Sequence, residues 1–68
     1  MTMNFSQALK AIKKGKRVRR RNWREQKRWI ILAKKGETKW IAISTDGMIL
    51  PWFPSQDDLL SDDWEVIK

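Results

Sequence analysis

The segment from Asp46 to Trp64 constrains the fold of this chain more than any other stretch. It reads in order as a tight turn at Asp46-Gly47, a short strand from Met48 to Trp52, a helix start at Ser55-Gln56-Asp57-Asp58, and a last strand opening at Trp64. Asp-Gly favours the positive φ angles of a two-residue hairpin connection. Proline gives no donor to a sheet ladder, so Pro51 and Pro54 predict that the Met48 strand is short or lies at an edge. Ser55 with an acid three residues on is an N-cap pattern that opens one or two helical turns through Leu59 and Leu60.

Upstream, Phe5, Ala8, Leu9 and Ile12 recur at the spacing of one helix face, with Asn4 as N-cap and Gly15 as stop. A short strand follows around Arg17 to Arg20, then an irregular polar stretch from Arg21 to Lys27 that contains Trp23. The runs Arg28 to Ala33 and Lys39 to Ser44 are rich in strand formers and are joined by a glycine-containing loop, Lys34 to Thr38. With Met48 to Trp52 they form a three-stranded antiparallel meander. The predicted class is α+β: one domain over 1–68, with an N-terminal helix packed on a small antiparallel sheet and a short second helix near the C-terminus. Alternation places Trp29, Ile31 and Ala33 on one face and Ile30 and Leu32 on the other, so both faces are apolar. One helix covers one face only. The other is expected to pack on a second copy, making the protein a homo-oligomer, dimer or tetramer.

Small size presses in the same direction. A chain of 68 residues has little core, burying about 60% of its unfolded surface, and oligomerisation is a common remedy. The sequence holds no cysteine and no histidine, which removes disulfides, the usual zinc sites and histidine acid-base chemistry. No nucleophile stands beside a base, and the acids at 57, 58, 62 and 63 flank a helix N-terminus, where carboxylates serve as caps and complement the macrodipole. The expectation is a protein without catalysis, cofactor or metal. No run approaches the roughly 20 apolar residues of a membrane span and no signal peptide is evident, so the expected location is the cytoplasm, with no membrane partner.

Charge is distributed unevenly. Fourteen of the fifteen Lys and Arg lie between Lys10 and Lys39 against only Glu25 and Glu37, whereas from Trp40 onward six acids face Lys68 alone. The two halves should attract each other, and the basic half should attract phosphates of any kind. Among five tryptophans, Trp29, Trp40 and Trp64 have apolar strand neighbours and a packing role. Trp23 is different: it is flanked by Arg19, Arg20, Arg21, Asn22 and Arg24, and an aromatic face beside guanidinium groups suits a base with its phosphate. Replacing Trp23 is therefore expected to abolish nucleotide binding and to leave the fold intact. Trp52, between prolines beside a helix start, is a second candidate. Asn22, Ser55, Gln56 and Asp58 offer donors and acceptors for base edges. The same pairing serves either of two ligand classes: a closed pocket for a small nucleotide, or a basic module binding single-stranded nucleic acid or another protein, with Arg17 to Arg28 as a phosphate track.

Two patterns together span most of the chain. Asn4, Phe5, Ala8, Leu9, Ile12, Gly15, Lys16, Val18, Arg20 and Trp23 form the first; Asp46-Gly47, Pro51-Trp52, Ser55-Gln56, Asp58, Leu60 and Asp63-Trp64 form the second. In both, the chain resembles the Thoeris anti-defence two family of phage and bacterial sponge proteins. The resemblance implies a small α+β homo-oligomer that sequesters an immune signalling nucleotide, of the glycocyclic ADP-ribose type or a CBASS cyclic oligonucleotide, without degrading it. It also implies that Phe5, Trp23 and Trp52 wall the ligand, with Ser55 and Asp58 beside them, and that the protein acts in the host cytoplasm. The chain departs from the pattern at Asn22-Trp23-Arg24-Glu25, where relatives commonly read Gly-Trp-Asn-Gly, and in lacking a Pro- and Tyr-rich insertion between the middle strands.

Overall fold

The computed structural model describes residues 2–23 and 26–67. Helix α1 spans Phe5–Lys13 and begins at the expected cap. The Asn4 side chain accepts from the Gln7 N–H at 2.9 Å while the Gln7 side chain accepts from the Asn4 N–H at 3.1 Å, a reciprocal capping box. At the other end Gly15 takes φ +87°, a left-handed conformation that ends the helix without the penalty a Cβ would bring. The face predicted from periodicity is the buried one. Ala8 and Ile12 are fully enclosed, joined by Ala11, while Phe5 and Leu9 are half-buried.

Five antiparallel strands follow: β1 Arg17–Arg20, β2 Arg28–Lys35, β3 Thr38–Thr45, β4 Met48–Pro51 and β5 Trp64–Ile67, with helix α2 at Gln56–Leu60 between the last two. Their order across the sheet is β4-β3-β2-β1-β5. The meander is therefore as predicted, and β1 joins it to β5, which closes the opposite edge. The β2–β3 pairing runs further than the apolar pattern does, through Lys34↔Lys39 and Lys35↔Thr38, leaving only Gly36 and Glu37 in the turn. At the next turn Asp46 and Gly47 both have positive φ, 49° and 80°, the combination that Asp-Gly supplies. Strand β4 is short and lies at the edge, ending at Pro51, in keeping with a residue that gives no donor to the ladder.

Register divides the sheet into two faces. Val18 pairs with Ile30 and Ile30 with Ile43, and this face receives α1: Ala8, Ala11 and Ile12 pack with Val18, Ile30 and Trp64, with Leu32, Ile41 and Ile43 around them. The opposite face carries Trp29, Ile31 and Ala33 of β2 beside Ser44, Ala42 and Trp40 of β3, and no described element covers it. Trp40 there is 38% exposed and Ile49 62%. Trp29 and Trp40, read from sequence as packing residues, thus lie outside the single-chain core, whose buried tryptophans are Trp23 and Trp64.

Candidate functional site

Strand β5 begins at Trp64, and the position of that residue organises everything around it. Its indole is fully buried, and three other aromatics meet it: Phe5 at a centroid distance of 5.4 Å, Trp23 at 5.5 Å and Trp52 at 5.8 Å, each edge-on. Such edge-to-face pairs contribute about 0.5–1.5 kcal/mol each beyond area burial. Phe5 also touches Trp52, at 5.8 Å and a 40° tilt. The three aromatic walls named from sequence therefore gather around one core residue. Phe5 and Trp52 remain half-buried.

Trp23 is placed otherwise than its charged neighbours suggest. It ends a 3-10 turn, Arg21–Trp23, and its side chain is sunk in the core at 8% exposure. Apolar contact comes from Trp64, forty-one positions away, which no inspection of flanking residues reveals. The Arg28 guanidinium lies 5.8 Å from the Trp23 ring centroid, a cation–π contact. Asn22 in the same turn is exposed, and Arg24 lies outside the described residues.

Trp52 is held by its backbone: its N–H donates to the Ile41 carbonyl at 3.1 Å, extending the β3 edge contact just past Pro51. Two residues after Phe53, Ser55 caps α2. Its Oγ accepts from the Asp58 N–H at 3.2 Å, and an Asp58 carboxylate oxygen accepts from the Ser55 N–H at 3.1 Å, a second capping box. The Trp64 indole N–H donates to the Asp58 carbonyl at 2.9 Å, so the α2 segment is tied to the aromatic cluster. Gln56 is turned outward with Leu59 and Leu60, lining an open, shallow hollow of about 270 Å³.

Arg20, read from sequence as a phosphate contact, lies on β1 with its side chain 10% exposed. It donates from Nε to Asp63 at 2.9 Å and from one terminal nitrogen to Asp57 at 2.9 Å and Asp58 at 3.1 Å. These partners, Asp63 foremost, raise its pKa against the opposing effect of burial, so it is a permanent cation. The cluster at 57, 58 and 63 was legible only as helix-end acids; the signal for its real partner was the opposite charge of the two halves of the chain. On the far face, Arg19 pairs with Glu65 at 3.0 Å and Arg17 lies 5.3 Å over Trp29. Among the described residues no group of three or more His, Cys, Asp or Glu is arranged to hold a metal. No helix among them is long and apolar enough to cross a membrane.

The model of the Thoeris anti-defense 2-like domain matches residues 3–67, nearly the whole chain. The chain belongs to that family. Membership carries an anti-defence role directed at Thoeris, and it makes the α+β arrangement with its aromatic cluster the fold of a Thoeris anti-defense 2-like protein. No curated protein matches it.

Proposed function

We propose that this Thoeris anti-defense 2-like protein binds a cyclic signalling nucleotide and sequesters it without turnover, lowering its free concentration in the infected cell. The observation that carries this reading is the convergence of Phe5, Trp23 and Trp52 on Trp64, with Phe5 and Trp52 still partly open to solvent. A base stacked on an aromatic ring gains about 1–3 kcal/mol. Arg28, over Trp23, and the exposed Arg21 and Asn22 are the neighbouring groups suited to phosphate and base edge. Ser55 and Asp58 remain proposed contacts from the family resemblance, and Arg24 from its place beside Trp23 in the sequence. The ligand class is a glycocyclic ADP-ribose or a CBASS-type cyclic oligonucleotide. Sequestration works by affinity alone: nanomolar binding corresponds to about −12 kcal/mol, enough to hold a scarce signal when the protein is in excess.

The uncovered sheet face supports a homo-oligomer, dimer or tetramer, in which a second copy packs on Trp29, Ile31, Trp40 and Ile49. Single-stranded nucleic acid is the second reading, and it would compete for that face, where Arg17 over Trp29 beside the exposed Trp40 has the character of a stacking surface. Calorimetric titration with cyclic dinucleotides, cyclic trinucleotides and cyclic ADP-ribose isomers, alongside a short oligo-dT, separates the two. Binding of a cyclic nucleotide but not oligo-dT is expected; binding of oligo-dT alone would refute sequestration.

A further inference from the structure

We infer that Arg20 is a positioning residue of the nucleotide site and not a contact to ligand phosphate, an inference that rests on the sequestration reading. Four polar contacts lead away from its guanidinium, all to aspartates: Nε to Asp63 at 2.9 Å, one terminal nitrogen to Asp57 at 2.9 Å and Asp58 at 3.1 Å, and the other to Asp63 at 3.5 Å. Three carboxylates surround a single cation. The cluster is therefore net negative, and a phosphate brought to Arg20 would meet repulsion from acids that already hold its donors.

What this arrangement accomplishes follows from the weakness of α2. The helix has five residues and buries no side chain, whereas an isolated helix needs about 12–15 residues even to be marginal in water. Neither propensity nor an apolar face holds it in place. The capping box closes its first turn, and polar ties join the segment to the sheet: the Trp64 indole N–H on the Asp58 carbonyl, the Arg21 N–H on the Asp63 carbonyl at 2.8 Å, and Arg20. Among the described residues, only Arg20 reaches both flanks of the segment, taking Asp57 and Asp58 near the helix start and Asp63 after its end. Because β1 is an inner strand paired on both sides, Arg20 transmits the rigidity of the sheet to the stretch from Trp52 to Asp63. That stretch carries three of the proposed ligand contacts, Trp52, Ser55 and Asp58.

The competing account, in which Arg20 grips phosphate, predicts the opposite sign for one experiment. If the aspartates merely compete with ligand for Arg20, neutralising them frees the guanidinium and tightens binding. If Arg20 acts through them, neutralising them loosens the wall and weakens binding. Asp57→Asn with Asp63→Asn is the decisive pair, since Asp57's side chain is 81% exposed and Asp58, with its capping role, is left intact. Hydrogen–deuterium exchange without ligand should show residues 52–62 exchanging about tenfold faster in the double variant and in Arg20→Lys, with α1 and the β2–β3 hairpin unchanged. Calorimetry with cyclic ADP-ribose isomers and cyclic di- and trinucleotides should show several-fold weaker binding, with the salt dependence of the affinity retained. Unchanged exchange over 52–62, or tighter binding in the double variant, would overturn the inference. If the wild-type protein binds none of the panel, the sequestration reading falls by itself, and the exchange comparison still decides whether Arg20 holds the segment. Should Arg20→Lys fail to fold, the two aspartate substitutions carry the test.

Discussion

Trp52 and Trp64 have their rings 5.8 Å apart, yet replacing them should have opposite consequences. Trp52 is half-buried and anchored through its backbone, so Trp52→Ala is expected to retain the far-ultraviolet circular dichroism spectrum while nucleotide affinity falls by roughly 5- to 150-fold, the loss of one stacked base. Trp64 is fully enclosed and touches Phe5, Trp23 and Trp52, so Trp64→Ala should cost about 3–5 kcal/mol. A domain of this length has roughly 3–10 kcal/mol in total, and urea denaturation should find the variant largely unfolded. Trp23→Ala falls between: with the indole in the core, lost ligand binding would come with lost stability, which makes Trp52 the cleaner probe. The packing role of Trp64 was legible in its strand context with Val66 and Ile67, a signal that holds for Trp64 but not for Trp29 and Trp40, whose sheet face no described element covers. The burial of Trp23 was not, because its partner is forty-one positions distant and its sequence neighbours are all polar. Arg20 escaped for the same reason: a cation's partner is set by the pairing of β1 with β5, which brings position 63 beside position 20.

At the scale of elements, local chemistry was the better guide. Both helices start at the caps read from Asn4 and Ser55, and both short turns in the meander use glycine at positive φ. The main shortfall is the length of the β2–β3 hairpin, predicted to open into a loop at Lys34. Alternating apolar residues stop there, but the backbone ladder continues until Gly36 turns the chain at φ +61°. Side-chain pattern reports burial, and an exposed ladder has none to report. The caps yield a prediction at this scale. Ser55→Ala should cost about 0.5–2 kcal/mol, and because α2 buries no side chain, the loss should appear as faster amide exchange in Gln56–Leu60 with little change in the global urea midpoint. Gly47→Ala places a Cβ at φ +80° and should lower the global midpoint instead, by about 1–2 kcal/mol, since this turn sets the register of β4 on β3.

The whole molecule is lopsided in a way no single element explains. Helix α1 and the aromatic cluster occupy one face of the sheet, and Trp29, Ile31, Trp40 and Ile49 stand on the other with nothing described over them. A stable dimer buries about 800 Å² per partner, roughly a seventh of this chain's 5202 Å² of accessible surface. A five-stranded face with two tryptophans is suited to that scale. If a second copy covers it, folding and association are linked, and the thermal midpoint should rise with protein concentration. Trp40→Lys with Ile49→Lys tests this, because both side chains are exposed in the single chain and neither contributes to the α1 core. Sedimentation at micromolar concentration should shift from oligomer to monomer, the thermal midpoint should become independent of concentration, and the spectrum of the folded chain should persist at low temperature. A wild-type protein that sediments as a monomer would sink the proposal and leave the face available to single-stranded nucleic acid. In that case Trp40→Ala should weaken oligo-dT binding, since it removes an exposed indole from that face without adding charge.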